Sequence, residues 1–226
     1  MNKKHKAIEQ LKGGTKMDYI KNPMAIETKS FEIIQGIIDE TYPGYTFKNE
    51  REEKIIKRCI HTSADFDYLD ILKISEDAVD RISEALKEGA TIYTDTTMAL
   101  SGINKTKLAA LGASCKCFIS DEEVAKLAKE KGMTRSMAAV YHAASLPGKK
   151  IFVLGNAPTA LFKVIELVEQ GTLEVEAVVG VPVGFVGAAE SKEALRNTTI
   201  PYILSAGRKG GSNIAAAIIN AILYSL

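Results

Sequence analysis

Three histidines occur among the 226 residues, and their settings differ. His5 lies in the polar run Met1-Asn2-Lys3-Lys4-His5-Lys6 and is expected to be solvated. His142 stands between Tyr141 and Ala143 on an Ala-rich stretch and reads as a packing residue. His61 follows Ile55, Ile56, Cys59 and Ile60, whose spacing is that of one helical face. It therefore closes a helix and leads into Thr62, Ser63 and Asp65, each able to bond an imidazole. A satisfied structural histidine and a proton donor both fit that position. Histidine exchanges its proton near neutral pH, so His61 is the candidate acid.

Other chemistries find less support. Cys115-x-Cys117 has no second pair or nearby histidine, which is the wrong pattern for a zinc site. Asp65, Asp67 and Asp70 lack the glycine and glutamate spacing of a calcium loop, so they read as capping or surface carboxylates. No bound metal is expected. No G-x-S-x-G elbow is present, which argues against an α/β-hydrolase. Neither phosphate fingerprint, G-x-x-x-x-G-K-[ST] or a G-x-G-x-x-G after the first strand, occurs. Arg135 opens a helix after Thr134, where its charge opposes the helix dipole. A ligand role and a solvated face are both open for it.

These side chains need a scaffold, and the order of patterns supplies one. Helical spacing is expected over Ser30–Thr41 and Glu50–His61. Strands are expected at Thr91–Thr94, Cys115–Ile119, Lys150–Leu154, Glu176–Val181 and Pro201–Leu204, with helices between them. Ser75 is expected to cap the helix through Ala78, Ile82 and Leu86, and Ser120 with Glu123 to form a capping box. Five strands alternating with helices imply a parallel sheet covered on both faces. Ligands of such sheets bind beyond the carboxyl ends of the strands.

Small, polar and Gly-rich residues follow the strands there. The segments are Asp95–Gly102, Gly155–Ala160, Gly180–Glu190 and Ser205–Ser212. Backbone N–H groups beside glycines such as Gly187, and around Asn156, can approach an anion closely. Arg208 and Lys209 add full charges. Tight strand–helix turns alone would also use glycine; several such loops at one edge, with two cations, favour a multiply anionic ligand.

Composition bounds the rest. Apolar residues make up 46% and charged residues 25%, as in globular proteins. The formal net charge is +1, so no global field draws the chain to nucleic acid or a membrane surface. Three cysteines suit a reducing cytoplasm better than a disulfide framework. No export signal and no run near the roughly 20 apolar residues of a membrane span is seen. Residues 1–16 read as a mobile extension and residues 17–226 as one α/β domain.

The segments Ile60-His61-Thr62, Thr134-Arg135-Ser136, Gly155–Leu161, Gly184–Lys192 and Gly207–Ser212 together resemble the precorrin-8X methylmutases of cobalamin biosynthesis, including the cobalt-precorrin-8 branch. The resemblance runs from about Tyr19 to the C-terminus. It implies a three-layer αβα, flavodoxin-like fold with a five-stranded parallel sheet. It also implies a homodimer acting on a corrinoid tetrapyrrole with no separate cofactor. The reaction implied is migration of a methyl group from C11 to C12 of the macrocycle, giving hydrogenobyrinate or cobyrinate. The family's catalytic histidine falls on His61, its substrate-contacting arginine on Arg135 and a serine of the first helix on Ser30. Thr62, Asn156, Gly187, Arg208 and Lys209 fall in the same segments as expected substrate contacts. Two other classes remain at this point: a tetrapyrrole carrier without an acid, and a nucleotide-binding enzyme, which the missing fingerprints disfavour.

Overall fold

The computed structural model describes residues 20–226. The expected extension over residues 1–16 lies outside them. Contacts divide the chain after Gly44 into two compact units.

The first unit contributes helix α1, Pro23–Thr41. It starts seven residues before the expected Ser30. Asn22 accepts from the Met24 and Ala25 N–H groups, and Pro23 takes the first helical position, where its missing N–H costs nothing. Asn-Pro was the start signal, and Ser30 lies inside the helix.

The second unit is built around a six-stranded sheet. In chain order its elements are α2 (Glu50–Ser63), α3 (Tyr68–Ile71), β1 (Leu72–Ile74), α4 (Ala78–Lys87), β2 (Thr91–Thr94), α5 (Thr97–Gly102), α6 (Lys105–Ala110), β3 (Ser114–Lys116), α7 (Glu122–Glu130), α8 (Arg135–Ser145), β4 (Lys150–Leu154), α9 (Pro158–Glu169), β5 (Ala177–Gly180), α10 (Ala188–Arg196), β6 (Tyr202–Ser205) and α11 (Ser212–Ser225). The strand order is β1-β6-β5-β4-β2-β3. The five expected strands are all parallel and lie in the flavodoxin-like order.

The sixth strand corrects the expected five. β1 pairs antiparallel with β6, setting Leu72 opposite Ser205 and Ile74 opposite Ile203. Three residues are too few to show a period of two, and β1 follows α3 with no turn residue between them. The strand is held at both ends by β6 as well: Ala206 N–H donates to the Ile71 carbonyl and Ser75 N–H to that of Tyr202. It covers what would be an open sheet edge. Ser75 is used here too. Its Oγ accepts from Tyr202 N–H at 2.9 Å, and α4 follows Asp77 instead of a serine cap. The expected Ser120–Glu123 capping box is likewise absent, because α7 begins at Glu122.

All five residues of β4 are buried, as a strand covered on both faces requires. Phe152 and Leu154 pack with Leu161, Val164 and Leu195 of α9 and α10. Ile151 and Val153 point the other way by strand alternation, toward the layer that contains α11. Helix α11 is packed against α2, α4 and α5, while α7, α8, α9 and α10 form the opposite layer. No described helix is long and apolar enough to cross a membrane.

Candidate functional site at the carboxyl edge of the sheet

The parallel strands all end at one edge, and the order reverses between β2 and β4. Asp95, the first residue after β2, is buried at this switch point. Its Oδ1 accepts from Gly155 N–H at 3.0 Å, and its Oδ2 accepts from Asn156 and Ala157 N–H at 2.7 and 2.6 Å. Burial pushes the Asp95 carboxyl above the usual carboxylate range, against the pull of those three donors. The Gly155 loop, expected to cradle an external anion, thus cradles the chain's own carboxylate. The Asn156 side chain remains exposed.

Gly155 is also required by packing. A Cβ there would lie 2.7 Å from Ser212 N and Cα, so only glycine lets the end of β4 meet the start of α11. Thr96 Oγ1 and Ser212 Oγ lie 2.7 Å apart and join β2 to the same point. Asp95-Thr96 is then followed by α5 and not by the expected longer loop.

The loops after β5 and β6 are stitched together. Gly184 N–H donates to the Arg208 carbonyl and Gly211 N–H to that of Val181. A Cβ at Gly210 would come within 2.1 Å of the Val181 oxygen. Gly187 has φ 77° and precedes α10, with Pro158 of α9 beside it. Phe185 and Val186 project outward, 84% and 90% exposed, and the Arg208 guanidinium lies 5.6 Å from the centre of the Phe185 ring.

His61 stands exposed in the last turn of α2, next to exposed Thr62. The chain reverses after them at Ala64, in the left-handed region at φ 54°. Ser63 Oγ donates to the Cys59 carbonyl and accepts from Asp65 N–H, and Asp65 Oδ1 accepts from Asp67 N–H. Lys209 Nζ reaches across to both Asp65 and Asp67 at 2.6 Å. Burial pushes the Asp65 carboxyl up, but the Lys209 ammonium and the Asp67 N–H outweigh it and hold the carboxyl below its ordinary value. Hydrogen bonds to the two carboxylates raise Lys209 in turn. The histidine turn is thereby tied to the β6 loop.

Arg135 is exposed at the start of α8. Thr134 caps that helix and lies 3.1 Å, Oγ1 to Oγ1, from Thr159 in the first turn of α9. Arg135 therefore belongs to the same edge as Asn156 and Gly187. Ser30 lies in the other unit, on α1, where its Oγ donates to the Ile26 carbonyl. His142 packs edge-on against Phe118, 4.6 Å between ring centres, as a packing residue would. Among the described residues no group of three or more His, Cys, Asp or Glu side chains is placed to hold a metal ion.

Two participants escaped the sequence reading. Asp95 looked like one polar residue of a loop. Lys192 stood only as the last residue of the Gly184–Lys192 segment with no role of its own, yet it is 1% exposed and bonded to both stitched loops. Only an ESK triplet after a Gly-rich loop marked it, and that pattern has no intrinsic meaning.

Comparison with known proteins identifies the family. The precorrin-8X methylmutase family matches residues 25–225. The cobalt-precorrin-8 methylmutase of Salmonella typhimurium is 57% identical over 93% of this chain and 99% of its own. The precorrin-8X methylmutase of Pseudomonas aeruginosa is 37% identical over 91% of this chain and 97% of its own. The crystal structure of precorrin-8X methylmutase from Thermus thermophilus superposes with a TM-score of 0.77 at 34% identity, covering 88% of this chain and 96% of that one. With a match of this length and these identities, the chain belongs to the precorrin-8X methylmutase family.

Proposed function

We propose that this chain is an isomerase that moves a methyl group from C11 to C12 of cobalt-precorrin-8, giving cobyrinate, in cobalamin biosynthesis. One observation carries the reading: a relative named for that reaction is 57% identical over nearly its whole length. Relatives named for precorrin-8X stand at 37% and 36%, within the range of 35% to 57% spanned by those named for cobalt-precorrin-8, so the choice of the cobalt-bearing ring rests on the 57% relative.

The reaction stays within one molecule. A carbon–carbon bond breaks at C11 and another forms at C12, so atoms and electrons balance without an acceptor. His61 lends a proton to the macrocycle as electron density follows the methyl group and takes one back once the methyl is on C12, so the net change is an isomerisation. The substrate carries many carboxylates around a flat ring and needs several spaced donors. Arg135 and Arg208 supply charge at two places along the edge, and Thr62, Asn156 and the backbone at Gly187 supply neutral bonds. Lys209 acts from within its pair with Asp65 and Asp67. The exposed Phe185 and Val186 suit the face of a ring or a second chain, and the working form is a homodimer in the cytoplasm.

The test offers cobalt-loaded and metal-free substrate to the purified chain. Product is followed by its visible spectrum and the methyl position by carbon NMR. Turnover is expected with the cobalt-loaded ring; pigment binding without methyl movement would make the chain a carrier. His61→Ala is expected to lower turnover roughly 10²–10⁴-fold while pigment still binds. Near wild-type turnover in that variant would remove His61 from the chemistry. Light scattering at twice the chain mass checks the dimer.

A further inference from the structure

Lys192 projects from the first turns of α10 into the interior and is 1% exposed. Its Nζ donates to the Lys209 carbonyl at 2.9 Å, to the Pro182 carbonyl at 3.1 Å and to Ser205 Oγ at 3.4 Å. Ser205 Oγ itself donates to the Lys209 carbonyl at 2.7 Å, which leaves its lone pair facing the lysine. An ammonium has three donors, and here there are three acceptors. None of the three is a carboxylate, so this is no ion pair. Burial pushes the ammonium down to about 8, so at neutral pH it remains charged.

The position within the loops gives these bonds their meaning. The loops are joined by Gly184 N–H to Arg208 O on one side and by Gly211 N–H to Val181 O on the other. The carbonyls of Pro182 and Lys209 lie between those two links. Both are acceptors, so neither can satisfy the other. The lysine supplies the missing donors and closes the seam.

We propose that Lys192 is a positioning residue for methyl migration, its buried ammonium fixing the spacing of the β5 and β6 loops and with it the placement of Arg208 and the His61 turn. The connection is direct. The β6 loop carries Arg208, which lies over Phe185 of the β5 loop. The same loop carries Lys209, which holds Asp65 and Asp67 beyond His61. Loss of the clamp leaves the Pro182 carbonyl without its donor and the Lys209 carbonyl with Ser205 Oγ alone, and the loops must separate for water to replace the ammonium. The inference rests on the reading that this edge holds the substrate.

Lys192→Met keeps the length and apolar stem and removes the three donors. Lys163→Met is the control, because Lys163 is also buried, on α9, and pairs with Glu166 away from the seam. In Lys192→Met, amide exchange at Gly184 and Gly211 is expected to rise at least about tenfold, the scale of one lost charged hydrogen bond. kcat/KM is expected to fall by at least about tenfold, mostly through KM, because the loops place binding groups. Lys163→Met should lower Tm yet keep kcat/KM within about twofold, as a change remote from the site does. A Lys192→Met enzyme with wild-type kcat/KM, or a loss matched by the control, would overturn the proposal. If the wild-type chain itself showed no turnover, the activity reading would fall separately, and unchanged exchange at Gly184 and Gly211 would then overturn the clamp.

Discussion

Ser63 and Asp65 illustrate how a residue's neighbours in sequence become its supports in space. Both stand within four positions of His61 and carry oxygens suited to an imidazole. In the fold their bonds build the turn that follows the histidine: Ser63 closes back on Cys59, and Asp65 caps Asp67 and receives Lys209. Lys209 then acts on the histidine's setting instead of standing apart as a bare charge. The Asp65 carboxyl is held below its ordinary value, so its pairing contributes stability above about pH 4 and loses it as the pH falls through the depressed value. Asp65→Asn keeps the oxygen that accepts from Asp67 and removes the charge. It should lower Tm at pH 7 and cease to differ from wild type once the pH is below the folded carboxyl's value. A difference in Tm that persists unchanged at low pH would show that the ion pair is not what Asp65 contributes.

At the scale of elements, the end of α2 carries a visible cost. Ala64 is the one non-glycine residue with positive φ among the described residues, at the position where helices commonly end on glycine. Its N–H donates to the Ile60 carbonyl at 2.7 Å, so the reversal is secured by a bond as well as by conformation. Ala64→Gly should stabilise the chain by about 0.5–1 kcal/mol, since the left-handed penalty slightly exceeds the added entropy of glycine. Urea unfolding reads this directly, and a loss of stability would mean that the Ala64 methyl packs usefully. Helices with strong apolar spacing were legible in sequence, α2 to within two residues of its observed end. The five parallel strands were legible because alternation with helices brackets them. What was lost is short or decided at a distance. β1 has only three residues and exists because β6 pairs with it. α1 begins at Pro23 because Asn22 caps it, a start signal that apolar spacing, which sets in only after Ser30, does not carry. Ser75 looked like a cap, but its hydroxyl is claimed by Tyr202, 127 positions later.

The whole sheet explains why the candidate site reads so differently from a nucleotide site of the same topology. In a doubly wound sheet the crevice where strand order reverses is the natural anion position, with backbone N–H groups converging on it. Here that crevice lies between β2 and β4, and Asp95 fills it from within. The sequence showed the glycines and helix starts of an anion-binding edge but could not show that one anion came from the chain itself, 60 residues away. The consequence for the proposed site is spatial: an external ligand is expected farther out, across the His61 turn, the β6 loop and the Arg135 helix, which suits a broad ring with peripheral carboxylates better than a compact phosphate. Asp95→Asn tests this arrangement. An asparagine must point its amide N–H₂ at one or more of the Gly155, Asn156 and Ala157 donors, losing a charged bond and leaving a buried donor unmet. The variant should be destabilised by about 2–3 kcal/mol in denaturant unfolding, with slower turnover because the Gly155 loop shifts against Ser212. Wild-type stability in Asp95→Asn would mean that those three N–H groups can be satisfied in another way, and that the switch point is open to an outside anion after all.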